Sequence, residues 1–134
     1  MKAQLRVARP TDDIEAVVAF YRDGLDFEVI GSFGGHGGID GVMLGHPEYD
    51  YHLEFTHHSD GEQVEPPSAN HLLVFYLPDD DRWQTTVDRL ESGGYERVAS
   101  DNPYWDERGA TFLDPDNHRV VLENADWTPA PVQP

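Results

Sequence analysis

The chain repeats itself, and that constrains its fold more than any other feature. Gly24 and Gly93, Val18 and Val87, Val29 and Val98, Leu44 and Leu113, Leu53 and Leu122, and Glu54 and Glu123 each stand 69 residues apart. Helix-stop glycines, apolar positions and a strand carboxylate that share one spacing mark a copied supersecondary unit. Two copies account for nearly all of the 134 residues. One copy alone would leave a face of its sheet bare, so the two are expected to need each other.

Each copy reads as strand, helix, strand, strand, strand. In the first, Gln4 to Ala8 alternates as a strand. Asp12 caps a helix with Glu15 three residues on, with Ile14, Val17, Val18 and Tyr21 on one face and Gly24 as its stop. Phe27 to Phe33, Val42 to Leu44 and His52 to Thr56 follow as strands, with "GGHGG" read as a flexible loop able to move over a ligand. After a polar linker with two prolines, His71 to Leu77 is an apolar strand. Asp79 to Asp81 open a helix that buries Trp83, Val87 and Leu90, and Glu96 to Ala99, Thr111 to Leu113 and His118 to Glu123 complete the second set. The fold class is α+β, two βαβββ modules over about residues 1–66 and 67–127, with a short polar tail at 128–134.

"YHLEFTHH" places a carboxylate inside an alternating strand. Tyr51, Leu53 and Phe55 line one face, so His52, Glu54 and Thr56 share the other. If two copies pack about a pseudo-twofold axis, equivalent side chains converge on it. Glu54, Glu123, His71 and Lys2, the residue 69 positions before His71, are then expected to meet in a shared hollow. Such a group is either metal-ligand chemistry or an ionic network.

Composition narrows the partners. The formal net charge is −17, from 26 acidic and nine basic residues, and Lys2 is the only lysine. That field repels phosphate backbones, so no nucleic-acid partner is expected, and a lysine-poor acidic surface also suits strong salt. No stretch is apolar enough for a membrane span and the start lacks a signal-peptide core, which predicts a cytoplasmic protein without a membrane partner. There is no cysteine, so any metal takes oxygen and nitrogen donors.

The segments "RVARPTDDIEAVVAFYRDGLDFEVIG", "YHLEF", "NHLLVFYLPD" and "ATFLDPDNHRVVLEN" resemble the vicinal oxygen chelate superfamily of glyoxalases, extradiol dioxygenases, fosfomycin resistance enzymes and bleomycin resistance proteins. "RVARPT", "DGVMLG", "YHLEFT", "LLVFY" and "NPYW" look most like its YycE-like branch. The resemblance implies paired modules whose curved sheets form an open cup, a small-molecule ligand and a homodimer. It implies Glu54, His71 and Glu123 as ligands of a divalent metal (Zn, Mn, Fe, Ni or Co), with the two glutamates catalytic. The remaining ligand position falls on Lys2, whose ammonium has no lone pair to give. With Lys2 in the ion's place, the alternative is a metal-free cup of bleomycin-resistance type that binds or sequesters its ligand.

Gln4, Arg6 and His52 have the parity to line the cup, and Tyr104 and Trp105, in a loop between strands, can cover a pocket and stack on a flat ligand. His57 and His58 read as exposed linker residues. No serine or cysteine nucleophile constellation and no phosphate-binding loop is present.

Overall fold

The computed structural model describes residues 3–61, 64–129 and 131. It divides into two compact units, Met1–Pro67 with Pro115–Asn117, and Ser68–Asp114 with His118–Pro134.

The first unit is a four-stranded mixed sheet in the order β1-β4-β3-β2, made of β1 (Leu5–Pro10), β2 (Glu28–His36), β3 (Ile39–Gly45) and β4 (Tyr51–His58). β1 runs parallel to β4, and the other neighbours are antiparallel. Between β1 and β2 lies α1 (Ile14–Val18), which runs on into a π-helical turn over Ala19–Gly24. The cap is Asp13 rather than the expected Asp12. Its carboxylate accepts from the Ala16 N–H at 3.0 Å, while its own N–H donates to Thr11 Oγ1. The wide turn closes where Leu25 N–H reaches the Phe20 carbonyl, five residues back. Val17, Phe20 and Tyr21 bury completely against Leu44, Leu53 and Phe55, at roughly 1.5–3 kcal/mol for each large apolar side chain. The Tyr21 ring lies 5.1 Å from that of Phe55 and 4.8 Å from that of Phe20.

"GGHGG" is not a separate loop. β2 extends through His36, and Gly37 and Gly38, with φ of 62° and 80°, form a two-residue turn into β3. Positive φ at both central residues matches the twist of the flanking strands, which is why glycine stands there. The Ser59 N–H donates to the Gly38 carbonyl at 2.8 Å, so this tip is tied to the end of β4 rather than free to swing. His57 and His58 are the half-buried last residues of β4 and not part of a linker.

The second unit repeats the plan as β5-β8-β7-β6, with β5 (Leu72–Tyr76), β6 (Arg97–Val98), β7 (Gly109–Leu113) and β8 (Arg119–Glu123). Helix α2 (Asp80–Ser92) is capped by Asp79, which accepts from the Arg82 N–H at 2.8 Å, and Gly93 follows its end. Trp83 Nε1–H donates to the Leu122 carbonyl at 2.8 Å. Alternation puts Ala110, Phe112, Val120 and Leu122 on one face of β7 and β8, all buried. "NPYWDERG", expected as a loop, holds a one-turn helix, α3 (Tyr104–Glu107), and the expected strand at Glu96 to Ala99 shortens to two residues.

Strand registers correct the constant spacing. Leu5 pairs with Tyr51, and Leu72 with Arg119, so the first and last strands of a unit are 46 residues apart in one copy and 47 in the other. With Glu54 and Glu123 equivalent, the counterpart of His71 is therefore Ala3 and not Lys2. In the third strands Met43 faces Glu54 and Gly109 faces Glu123, a spacing of 66. Lys2 itself lies outside the described residues.

Candidate functional site

In the first unit the β1–β4 register sets Arg6 beside His52 and Ala8 beside Glu54, so Arg6, His52 and Glu54 emerge on the sheet face opposite Leu53 and Phe55. The Arg6 side chain lies across β4. Its Nε–H donates to His52 Nε2 at 2.8 Å and its Nη1–H to Glu54 Oε2 at 3.0 Å. A guanidinium only donates, so His52 Nε2 must accept, which places the imidazole proton on Nδ1. That Nδ1 is shut from solvent and has no hydrogen-bond partner among the described residues. The Glu54 side chain is 14% exposed and that of Arg6 48%, so the carboxylate side of the pair is sheltered while the guanidinium side stays open to solvent. Sequence reasoning placed Arg6 at the pocket without recognising it as the partner of Glu54. Gln4 lies just before β1 and is exposed.

In the second unit Glu123 is buried at 4% exposure, opposite Gly109 on β7. A Cβ at Gly109 would run into the Glu123 carboxyl and the Trp105 carbonyl oxygen, so the bare glycine is what makes room for the acid. Glu123 Oε2 has no hydrogen-bond partner among the described residues. Burial pushes the carboxyl pKa up. Arg108 pulls against that rise, and Asp106 and Glu107 add to it. The signal for Gly109 was in the sequence as a glycine opening a strand, but only the register reveals what it faces.

Tyr104 and Trp105 are in α3, their rings edge to face at 5.0 Å, with Tyr104 56% exposed and Trp105 half-buried. Asp106 anchors this turn by accepting from the Ser100 N–H at 3.1 Å. His71 is exposed and sits one residue before β5, where its N–H bonds the Ser68 carbonyl.

In the first unit two candidate donor groups are already engaged. Glu54 already carries a guanidinium, which a cation would have to displace, and the lone pair of His52 Nε2 is taken by the same group. Among the described residues, no group of three His, Asp or Glu side chains gathers in a way that could hold an ion.

Paired units of one parallel and two antiparallel strand contacts, with a helix after each first strand, define the class: this is the glyoxalase-like vicinal oxygen chelate fold. The trypanothione-dependent glyoxalase I of Leishmania major shares it with a TM-score of 0.74 over 93% of this chain and 88% of that one, at 18% identity. Within that class the chain belongs to the YycE-like family, whose N-terminal domain matches residues 5–56 and whose C-terminal domain matches residues 70–124. It is 44% identical to the uncharacterized protein YycE of Bacillus subtilis (strain 168) over 92% of this chain and 88% of that protein. The crystal structure of a YycE protein of unknown function from Bacillus subtilis superposes with a TM-score of 0.89 at 42% identity, covering 95% of this chain and 93% of that one. Among the described residues no helix is long and apolar enough to cross a membrane.

Proposed function

We propose that the chain binds a small organic molecule without a metal ion, in the manner of a bleomycin-resistance-type binding protein. The observation that carries this reading is the Arg6 guanidinium seated on Glu54 and His52. It satisfies the carboxylate, fixes the imidazole tautomer and leaves a positively polarised donor group on an accessible sheet face. What the residues do in this reading is hold and orient: Glu54 and His52 restrain a side chain that would otherwise sample many rotamers, which lowers the entropy cost of using it for binding. A homodimer in the cytoplasm belongs to the same reading.

A second reading keeps Glu54, His71 and Glu123 as ligands of a divalent ion in a glyoxalase- or dioxygenase-type enzyme. One observation favours it, the buried Glu123 Oε2, which has no hydrogen-bond partner among the described residues. The deciding experiment is elemental analysis of tag-free protein purified without chelator, beside Glu54→Gln. The binding reading expects far less than one equivalent of any transition metal in both. About one equivalent in the wild type, lost in the variant, would overturn it in favour of the metalloenzyme.

A further inference from the structure

The face of the first sheet that bears Arg6 has an apolar half. The registers align Met43 with Glu54 and Gly31, and Gly41 with Thr56 and Phe33, so Met43 and Phe33 share the face of Glu54. Gly45 also opens onto this face, since a Cβ there would stand 2.9 Å from His52 Cβ and 3.3 Å from Ile30 Cδ1. Met43 Cε lies 2.7 Å from where a Gly31 Cβ would be, and the Phe33 ring occupies the space that a Gly41 Cβ would take. The three large side chains thus lie down over the strands instead of projecting from them. The glycines bind nothing themselves. They let Ile30, Phe33 and Met43 form a low apolar floor, with Ile30 42% exposed and the other two half-buried.

Beside that floor stands a polar group with capacity to spare. Arg6 has five N–H donors and, among the described residues, uses two, on His52 and Glu54, which leaves three for a ligand. The Arg6–Glu54 pair is neutral as a unit, and the chain around it is strongly acidic. An anionic ligand therefore meets no uncompensated positive charge and an opposing field, while a cationic one, although that field draws it to the chain, meets the guanidinium at this face because Glu54 is already taken. The complement to spare donors on a neutral pair is an uncharged acceptor oxygen.

Building on the metal-free binding reading, we propose that this face takes an uncharged molecule with a flat apolar body and a carbonyl oxygen, the oxygen on the Arg6 guanidinium and the body on Ile30, Phe33 and Met43. The ligand class is the aryl ketones, aryl aldehydes and related neutral carbonyl compounds.

The test is an NMR titration of the full chain with acetophenone, benzoate and benzylamine, three probes of one ring size and three charges. Met1 and Met43 are the only methionines, so labelled methyl groups report on the floor directly. Acetophenone is expected to shift the Met43 methyl, the Gly41 and Gly45 amides and the Arg6 Nε–H. Benzoate and benzylamine are expected to bind these positions about tenfold more weakly. Arg6→Met should weaken acetophenone about tenfold. Gly41→Ala, which lifts the Phe33 ring, should weaken it with the Arg6 contacts intact. A preference for benzoate or benzylamine at these positions, unchanged acetophenone affinity in Arg6→Met, or no shift from any probe would overturn the proposal and leave the metal-free reading standing. Binding that begins only after Zn²⁺ or Mn²⁺ is added would overturn that reading as well.

Discussion

Gly109→Ala puts the packing around Glu123 to a direct test. Gly109 is not among the residues with positive φ, so alanine meets no backbone strain there. The alanine even narrows the unfolded ensemble, which contributes about 0.4–1 kcal/mol in its favour. Against this stands a methyl group with no room: its carbon would sit 2.5 Å from the Trp105 carbonyl oxygen and closer still to Glu123 Oε2. The carboxyl can swing, but the carbonyl is main chain, in a turn held by the bonds from Asp106 N–H to the Pro103 carbonyl and from Ser100 N–H to the Asp106 carboxylate. Overpacking of this kind costs typically 1–3 kcal/mol, and an obstacle made of anchored backbone belongs at the upper end. The net expectation is a loss of about 2 kcal/mol, or a melting temperature lower by roughly 7 °C for a chain of this size. Urea unfolding followed by far-UV circular dichroism, with an unchanged denaturant slope, reads the value. A loss under about 0.5 kcal/mol, the range of an ordinary surface substitution, would show that α3 yields freely and that Gly109 is not there to seat the acid.

Two further outcomes follow from the pKa shifts. The Glu123 carboxyl is raised above its ordinary value of 4.5, so its contribution to stability is full below that pH and is lost as pH rises through the folded value. Glu123→Gln should therefore be the more stable protein at pH 8 and show a flatter stability profile from pH 5 upward, and an unchanged profile would refute the shift. Burial, with the Tyr49 phenol adding to it, pushes the Tyr51 pKa up to about 12, so stability from this group is lost as pH climbs from 10 through 12. Absorbance titration of Tyr51→Phe against the wild type should show one phenol step near 12 missing, and a difference step near 10 would contradict it.

Periodicity made most of the fold legible. The aspartates that open α2 and the alternation of "YHLEFTHH" do in the structure what their chemistry implies, whereas Gly24 is the last residue of the π-helical turn, which Leu25 caps, and the left-handed glycine after α2 is Gly94. What stayed hidden depended on register. The 69-residue spacing holds for the last strands, but a bulge between Val29 and Gly31 and hairpins of unequal length shift the other strands. That is why Lys2 looked like the partner position of His71, and why Arg6 was not recognised as the cation on Glu54. A parallel neighbour more than forty residues away leaves no local trace in a sequence. The short α3 was hidden for another reason: one turn of helix after "NP" is decided by what it packs on and by the Asp106 anchor, not by propensity.

The parallel contacts also govern when each half can form during synthesis. β1 is made before β4, its neighbour in the sheet, so on the ribosome it waits for that partner until residue 51 and beyond have followed. The interval closes a long loop at a modest entropic cost, which grows only logarithmically with length. Once residue 58 is out, every strand of the first sheet is present, before any strand of the second exists. The nascent chain can thus assemble in two successive episodes, and a pause after the first sheet would favour correct pairing over capture of the exposed β1 edge by a stray strand.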